Sequence, residues 1–553
     1  MISDAALIRE LKVIVGSGHV NVRDDRRASG KPVTFVRPRT LVEVWRVARA
    51  SVRAGRIILM RAGGTSLTGG SAPNGAYDRG VVVINTMRLK GIHMLNAGAQ
   101  VLCLPGTTLF ELERELRPLQ REPHSELGST WLGASVIGGV CNNSGGAQVR
   151  RGPAYTEAAL YAHVDETGEL RLVNELGMDL GRDPEEQLES LERGEFVRVL
   201  HDMHERACSA HGFVERVRDV DAPSPARFNA DPRYLKGASG SAGRLIVFAV
   251  RLDTFPRAAN TQVFHVATDD AGVLSDVRRR MLGQAALVPI SAEYMHRDTF
   301  RMAEREGKDL LLAVRTAGAD RLPFLFGFKA GVDGVARWLG FGRACLTDRL
   351  LQAVGRLAPP QLSETLRQMG EQYAHHLFLK VEADQAAGVR ALLADVVPAL
   401  KGACHECSPA EGRQVFLHRF AATGAAARHA AMSRGKAGAV VELDVALRRN
   451  DKAWWYVLPD HLKGMVEHTL VHGHFFCHVF QQDYILKKGA DAAAFRRGMA
   501  AHYEARGAEC PAEHNVGHRH KAKPALAAFY RKLDPTNTLN PGIGRTSRDK
   551  NWK

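Results

Sequence analysis

The chain has 553 residues, 45% of them hydrophobic, with 75 Lys and Arg against 60 Asp and Glu and a formal net charge of +15. That content builds ordinary packed cores over several domains and excludes disorder for most of the length, while the excess of positive charge asks for an acidic partner or surface. The longest apolar runs, such as 57–60, 81–84 and 245–250, fall far short of the ~18–20 residues that span a bilayer, so no transmembrane helix is expected.

The N-terminus places Asp4 early and has no basic stretch leading into an apolar run, so no signal peptide is read there and the chain is expected to stay in the cytoplasm. Residues 41–54 and 108–119 carry helical periodicity, and 57–60, 81–84 and 101–104 read as buried strands. The region up to about 260 is therefore α/β or α+β. Residues 200–233 are polar and turn-rich, with a loop at 222–225. After Phe255 and Pro256 the texture changes to helix-forming stretches at 274–282, 302–314, 334–351 and 362–375, which puts a boundary near 256–260. Eight cysteines scattered over this length do not form a secreted disulfide framework. The close pair Cys404 and Cys407 has metal or redox spacing without a second such pair, and reduced thiols are the expectation.

Residues 321–380 interleave Arg321, Lys329, Arg337 and Arg343 with Phe324, Phe326, Phe328, Trp338 and Phe341. Cations drawn to anionic headgroups at about 1 kcal/mol each, with aromatics at the interface, hold a peripheral protein on a bilayer without a span. A solvated basic face over a normal core is the alternative. Nucleic acid is disfavoured, because the charge is dispersed and no zinc-finger spacing or RNP-type strand appears.

The run from Arg61 to Ser71, RAGGTSLTGGS, follows a strand directly. Small residues let main chain approach an anion, and Thr65, Ser66 and Ser71 add hydroxyl donors. It lacks the Gly-Lys-Ser/Thr of a nucleotide triphosphatase loop and the G-x-G-x-x-G of a dinucleotide fold. A second small-residue block runs from Gly128 to Gly146, with the tight turn PGTTL at 105–109 between the two. Two such loops, each beside strand-like runs, favour a large phosphate-bearing cofactor.

This order of motifs resembles the FAD-binding domain of the vanillyl-alcohol-oxidase, or p-cresol-methylhydroxylase (PCMH), flavoenzymes. Further blocks, among them 122–125, 151–157, 293–298, 416–421, 446–451, 511–518 and 534–544, are similar to the bacterial respiratory, quinone-dependent D-lactate dehydrogenase family. The resemblance implies FAD between two α+β subdomains. Ala62, Gly63, Gly64, Thr65, Ser66, Gly70 and Ser71 would surround its phosphates; Gly128, Ser135 and Gly145 would touch the rest; Val247 would support it by backbone contact. No His lies between Arg61 and Ser71, so a noncovalent flavin is expected.

Oxidising a 2-hydroxy acid requires a cation for the carboxylate, a base for the hydroxyl proton and a hydride acceptor. The flavin is the acceptor. His514 is the expected base, with Glu513 to orient it or to bind a metal, as in relatives. Relatives also hold a divalent metal with two histidines seven apart; here His474, expected near the substrate, is followed at that spacing by Gln481, a weak ligand for transition metals. His478 is no replacement, since in an extended strand it would lie about 13 Å along the chain. Arg419 is expected to clamp the carboxylate in bidentate fashion, with Thr423 four residues on; Arg448 and Arg449 are the substitutes.

The expected architecture is α+β: a two-subdomain FAD-binding domain over 1–260 completed by 505–553, an α+β cap over 261–504, and a helical basic membrane-binding insertion at 296–372. The resemblance implies oxidation of D-lactate with electrons passed to a membrane quinone, ubiquinone or menaquinone, by a peripheral enzyme on the cytoplasmic side of the inner membrane, bound to anionic phospholipid. The competing readings are a sibling dehydrogenase of 2-hydroxyglutarate or glycolate, and a non-enzymatic basic protein that binds membrane or nucleic acid.

Overall fold

The computed structural model describes residues 2–24, 32–125, 130, 133–198, 206–308, 360–397, 401–433, 437–455 and 458–553. Gly128 and residues 309–359, which include every basic and aromatic residue named above for the segment 321–380, lie outside the described residues.

The N-terminal region holds two sheets. The first has four strands in the order Val20–Asp24, Pro32–Val36, Val81–Asn85, Ile57–Arg61. Val81–Asn85 is parallel to both its neighbours, while Val20–Asp24 is antiparallel to Pro32–Val36; Ile57 to Leu59 and Val81 to Ile84 are buried, as continuous apolar runs in parallel strands require. The helix Leu41–Arg53 starts where the Thr40 side chain accepts the Glu43 N–H, an N-cap of the usual kind. Its buried face joins a core with Ile58 and Val82 of the first sheet and Leu102, Leu160 and Phe248 of the second.

The second sheet is antiparallel, in the order Ile92–Leu95, Gln100–Cys103, Ile246–Asp253, Ala159–Val164, Leu170–Asn174. Its central strand is buried from Ile246 to Leu252. Ile246, Phe248 and Ala249 pack toward the first sheet, while Val101, Cys103, Val247 and Val250 meet the short helices Leu109–Leu116 and Val136–Cys141; the irregularity between Val247 and Ala249 switches which parity faces which side.

The C-terminal region is built on a seven-stranded sheet in the order Gly402–Cys407, Thr261–Thr268, His375–Glu382, Ser291–His296, Val466–His474, Val479–Lys487, Ala437–Ala446. Every neighbouring pair in it is antiparallel. Helices Ala271–Gly283, Ala386–Val396 and Ala492–Ala505 pack on one face around Tyr294, Leu377 and Val445. Helices Arg297–Glu306, Glu364–Gln372 and Pro409–Ala422 cover the other around Met295 and Phe378.

This sheet departs from the helical texture read after residue 256. Of the stretch 362–375 only Glu364–Gln372 is helical, and His375 opens a strand. Covered on both faces, these strands lack the apolar-polar alternation that marks a half-exposed strand.

The tail returns to the first sheet. Ile58 donates its N–H to Thr538 O and accepts that of Asn540, and Leu539 is buried in the same core. Arg244, fully buried, ties the tail further: it reaches Leu539 O and lies over the rings of Tyr530 and Trp552.

Candidate functional site

The first glycine loop leaves the end of the strand Ile57–Arg61 and meets the second loop at Gly63, where a Cβ would stand 2.3 Å from Gly133 O. Only glycine allows that approach. Ala62, Thr65, Gly70 and Ser71 are half-buried, and Gly63, Gly64 and Ser66 are exposed. Among the described residues, nothing accepts a hydrogen bond from the amides of Gly63, Gly64, Thr65 and Ser66.

The tail fixes the rest of the loop. Thr68 Oγ1 donates to His514 O at 3.1 Å, His518 N–H to Thr68 O at 3.1 Å, and Asn540 Nδ2 to Gly70 O at 2.9 Å. Ser135 caps the helix Val136–Cys141, accepting the Gly138 N–H at 3.0 Å. Val247 is buried in the central strand, where the register against Ala159–Val164 shifts.

Ser125 Oγ, Thr130 Oγ1 and both ring nitrogens of His124 are buried without a partner among the described residues. Free amides on one loop and orphaned polar groups near the other match a ligand that carries both pyrophosphate and hydrogen-bonding heteroatoms. The residues fit FAD.

Beside these loops a row of polar and charged groups crosses the seven-stranded sheet. Glu293 pairs with His474, His472 with Gln481, and Gln481 with Asp444 across adjacent strands. Paired residues point to one side and alternate residues share a face, so Glu293, His472, His474, Gln481 and Asp444 all project toward the same side. Arg419 joins them from the last turn of Pro409–Ala422.

Most of this cluster is buried and internally paired. His474 Nδ1 lies 2.6 Å from Glu293 Oε1 and its Nε2 3.4 Å from Glu513 Oε2. Burial alone would lower the His474 pKa; the two carboxylates outweigh it and push it up to about 9. Glu513 also accepts from the fully buried Arg227 at 2.7 Å. Burial opposes its charge, but Arg227 and His474 pull its carboxyl down to about 2. Gly145 allows this packing, since a Cβ there would stand 2.0 Å from Glu513 Oε1.

Arg419 Nη2 donates to Gln481 Oε1 at 3.0 Å, and its Nε stands 2.9 Å from Glu293 Oε2, a charge pairing off the line of the N–H. Burial lowers the Arg419 pKa and Glu293 opposes the shift.

The structure revises several expectations. Glu513 does not orient His514: its carboxylate faces Arg227 and His474, and Asp444 stands beside His514 instead. Thr423 falls outside the cluster because the helix ends at Ala422 and leaves it exposed. The chain between His474 and Gln481 is a tight hairpin, not an extended strand. It turns through Phe475–Cys477 and His478, which has a left-handed φ of 53° and a ring nitrogen against Arg448 O.

Arg449 is occupied by Ser224 O and Arg216 O. Both ring nitrogens of His474 face carboxylates, and among the described residues no group of three or more His, Cys, Asp or Glu is arranged to hold a metal. Cys404 is exposed while Cys407 is buried.

Sequence reasoning missed four members: Arg227, Glu293, Asp444 and His472. Arg227 hides in a turn-rich stretch that advertises only a loop. Glu293 had a signal: it is a lone carboxylate inside an apolar strand, in AEYM, where an acid is rare unless paired.

Two family models match, an FAD-binding domain over residues 32–173 and a D-lactate dehydrogenase membrane-binding domain over 263–552. The chain is similar to p-cresol methylhydroxylase with substrate bound, at a TM-score of 0.56 and 13% identity, covering 98% of this chain and 97% of that one. Its similarity to the quinone-dependent D-lactate dehydrogenase of Escherichia coli is 47% identity, over 99% of this chain and 98% of the relative. The enzyme of that name from Haemophilus influenzae is 46% identical over 99% of both chains. With the two glycine loops and the charged sheet face in place, this full-length relationship means that the chain belongs to the quinone-dependent D-lactate dehydrogenase family.

Proposed function

We propose that the protein oxidises D-lactate to pyruvate with FAD as cofactor and delivers the electrons to a membrane quinone. FAD, when bound, supplies the hydride acceptor and the route of the electrons onward. Residues 62–71 hold its phosphates through free backbone amides. Ser135, Gly145 and Val247 border the remainder, and the absence of His in the first loop supports a noncovalent cofactor.

The observation that carries the reading is the convergence of a cation and a base beside the glycine loops. Arg419 binds the substrate carboxylate, using the charge that Glu293 and Gln481 hold in place. His514, whose side chain is 35% exposed, takes the hydroxyl proton. His474 joins Glu293 to Glu513 within the buried network and fixes the floor of the site. The division into an FAD domain over 1–260 completed by 505–553 and a cap over 261–504 belongs to the same proposal.

The protein binds the membrane peripherally. Among the described residues no helix is long and apolar enough to cross a bilayer, and the membrane-binding family match covers the cap. We place it on anionic phospholipid at the cytoplasmic face, held by the basic aromatic residues of 321–380, as the +15 charge supports.

The test is the visible spectrum of the purified holoenzyme, which is expected to show bound flavin that bleaches with D-lactate and not with L-lactate. Bleaching by D-2-hydroxyglutarate or glycolate in preference to D-lactate would reassign the substrate, and absence of flavin absorbance after FAD reconstitution would overturn the enzyme reading.

A further inference from the structure

Asp444 sits in the strand Ala437–Ala446, which is buried from Leu443 to Ala446. Its backbone and side chain both grip the segment that carries His514. Ala446 exchanges backbone hydrogen bonds with Glu509, and Asp444 O accepts the Ala512 N–H at 2.9 Å. Asp444 Oδ2 accepts the backbone N–H of Glu513 and, at 2.7 Å, that of His514. The same oxygen stands 3.5 Å from His514 Nδ1.

We propose that Asp444 is the positioning residue of the proton acceptor, setting the direction of the His514 ring and standing beside the positive charge the ring acquires. This rests on the reading of His514 as the base. The geometry separates the two ring nitrogens by task. Nδ1 faces the carboxylate, and Nε2, on the far side of the ring, is left for the substrate hydroxyl. When that hydroxyl gives its proton to Nε2, the imidazolium forms beside a fixed anion, the arrangement that acid-base sites use to orient a catalytic imidazole.

Asp444 Oδ1 is buried without a partner among the described residues, an unfavourable state for a carboxylate oxygen. An asparagine or serine would satisfy the backbone strap without placing an anion there. The neighbouring anion Glu513 is already matched by Arg227 and His474, so among the described residues the carboxylate of Asp444 faces the His514 ring, the group that gains the positive charge. Burial raises the Asp444 pKa and His514 opposes the rise, consistent with that pairing.

The test is anaerobic stopped-flow reduction of bound flavin by D-lactate in the holoenzymes of Asp444→Asn, His514→Gln and the double variant, read per flavin bound. Asp444→Asn keeps an oxygen for both backbone N–H groups. It is expected to retain FAD and to leave the D-lactate concentration for half-maximal rate within about threefold, while the limiting rate falls on the order of 10²-fold. The double variant is expected to be no slower than His514→Gln alone, because Asp444 acts through His514.

A limiting rate for Asp444→Asn within about threefold of wild type, with His514→Gln slow, would overturn this inference and spare the base reading. Multiplicative losses in the double variant would overturn it as well. A His514→Gln enzyme that reduces flavin at the wild-type rate would overturn the base reading and this inference with it. Asp444→Ser also keeps an oxygen for the strap and is read by the same criteria, so a folding defect in one variant leaves the other to decide.

Discussion

At the scale of single residues, the site is governed by charges that water cannot reach. Arg227, Glu293 and Glu513 are almost wholly buried, and each is tolerated there because another charge is in contact with it. Removing one partner of such a pair costs ~3–5 kcal/mol, since the survivor is left buried and uncompensated. Arg419→Lys is expected to raise the D-lactate KM by tenfold or more with flavin content unchanged, because an ammonium cannot reproduce the planar fork that meets a carboxylate; KM and flavin absorbance measured together decide it. His474 gives a pH signature. Its folded pKa of about 9 lies above the ~6.5 of an unfolded chain, so its contribution to stability is full below about pH 6.5 and is lost as pH rises through about 9. His474→Gln is expected to lower Tm at pH 6, and the gap from wild type to close above pH 9; a gap independent of pH would contradict the pairing. Arg419 and His514 could be singled out in the sequence because each stands in a recognisable block. Asp444 and Arg227 were not, since their partners lie 70 and 286 residues away.

At the scale of elements, loops and hairpins decide which side chains meet. The seven-residue interval between His474 and Gln481 reads as one long strand, but its middle forms a turn. Gln481 therefore returns beside the strand it left, opposite His472, instead of lying some 20 Å away as an extended chain would put it. The first glycine loop works by contact with the second. Gly63→Ala is expected to weaken FAD affinity at least tenfold while leaving the far-ultraviolet circular dichroism unchanged. The added methyl meets a backbone oxygen at 2.3 Å, and the loop carries no core residue whose loss would unfold a sheet. Titration of the apoprotein with FAD measures it, and wild-type affinity would mean that the two loops need not touch. The N-terminal strands and the helix Leu41–Arg53 were readable from buried parallel runs and helical period. The strands of the seven-stranded sheet were not, because helices cover both faces and erase the period of two.

At the scale of the whole molecule, the tail joins the seven-stranded sheet to the first glycine loop. Residues 513–518 touch that loop through Thr68, and the strand at Asp444 holds the same segment from the sheet. The site thus exists only when the last forty residues have returned to the first sheet. The +15 charge acts at this scale too. Binding to vesicles of anionic phospholipid is expected to fall steeply as salt rises, since the Debye length is already about 10 Å at 0.1 M. Deletion of 321–356 is expected to release the protein from such vesicles and spare its flavin; cosedimentation of that variant at wild-type levels would assign the charge another role. The sequence by itself determined the cofactor class, the reaction family and the absence of an apolar run able to span a bilayer, because these reside in contiguous motifs and local composition. Only the tertiary structure decided that Asp444 and not Glu513 stands against His514, that Thr423 lies outside the site, and that Arg227 lies inside it. Those facts depend on strand register and on a long-range return of the chain, and no local pattern encodes which buried charges will find each other.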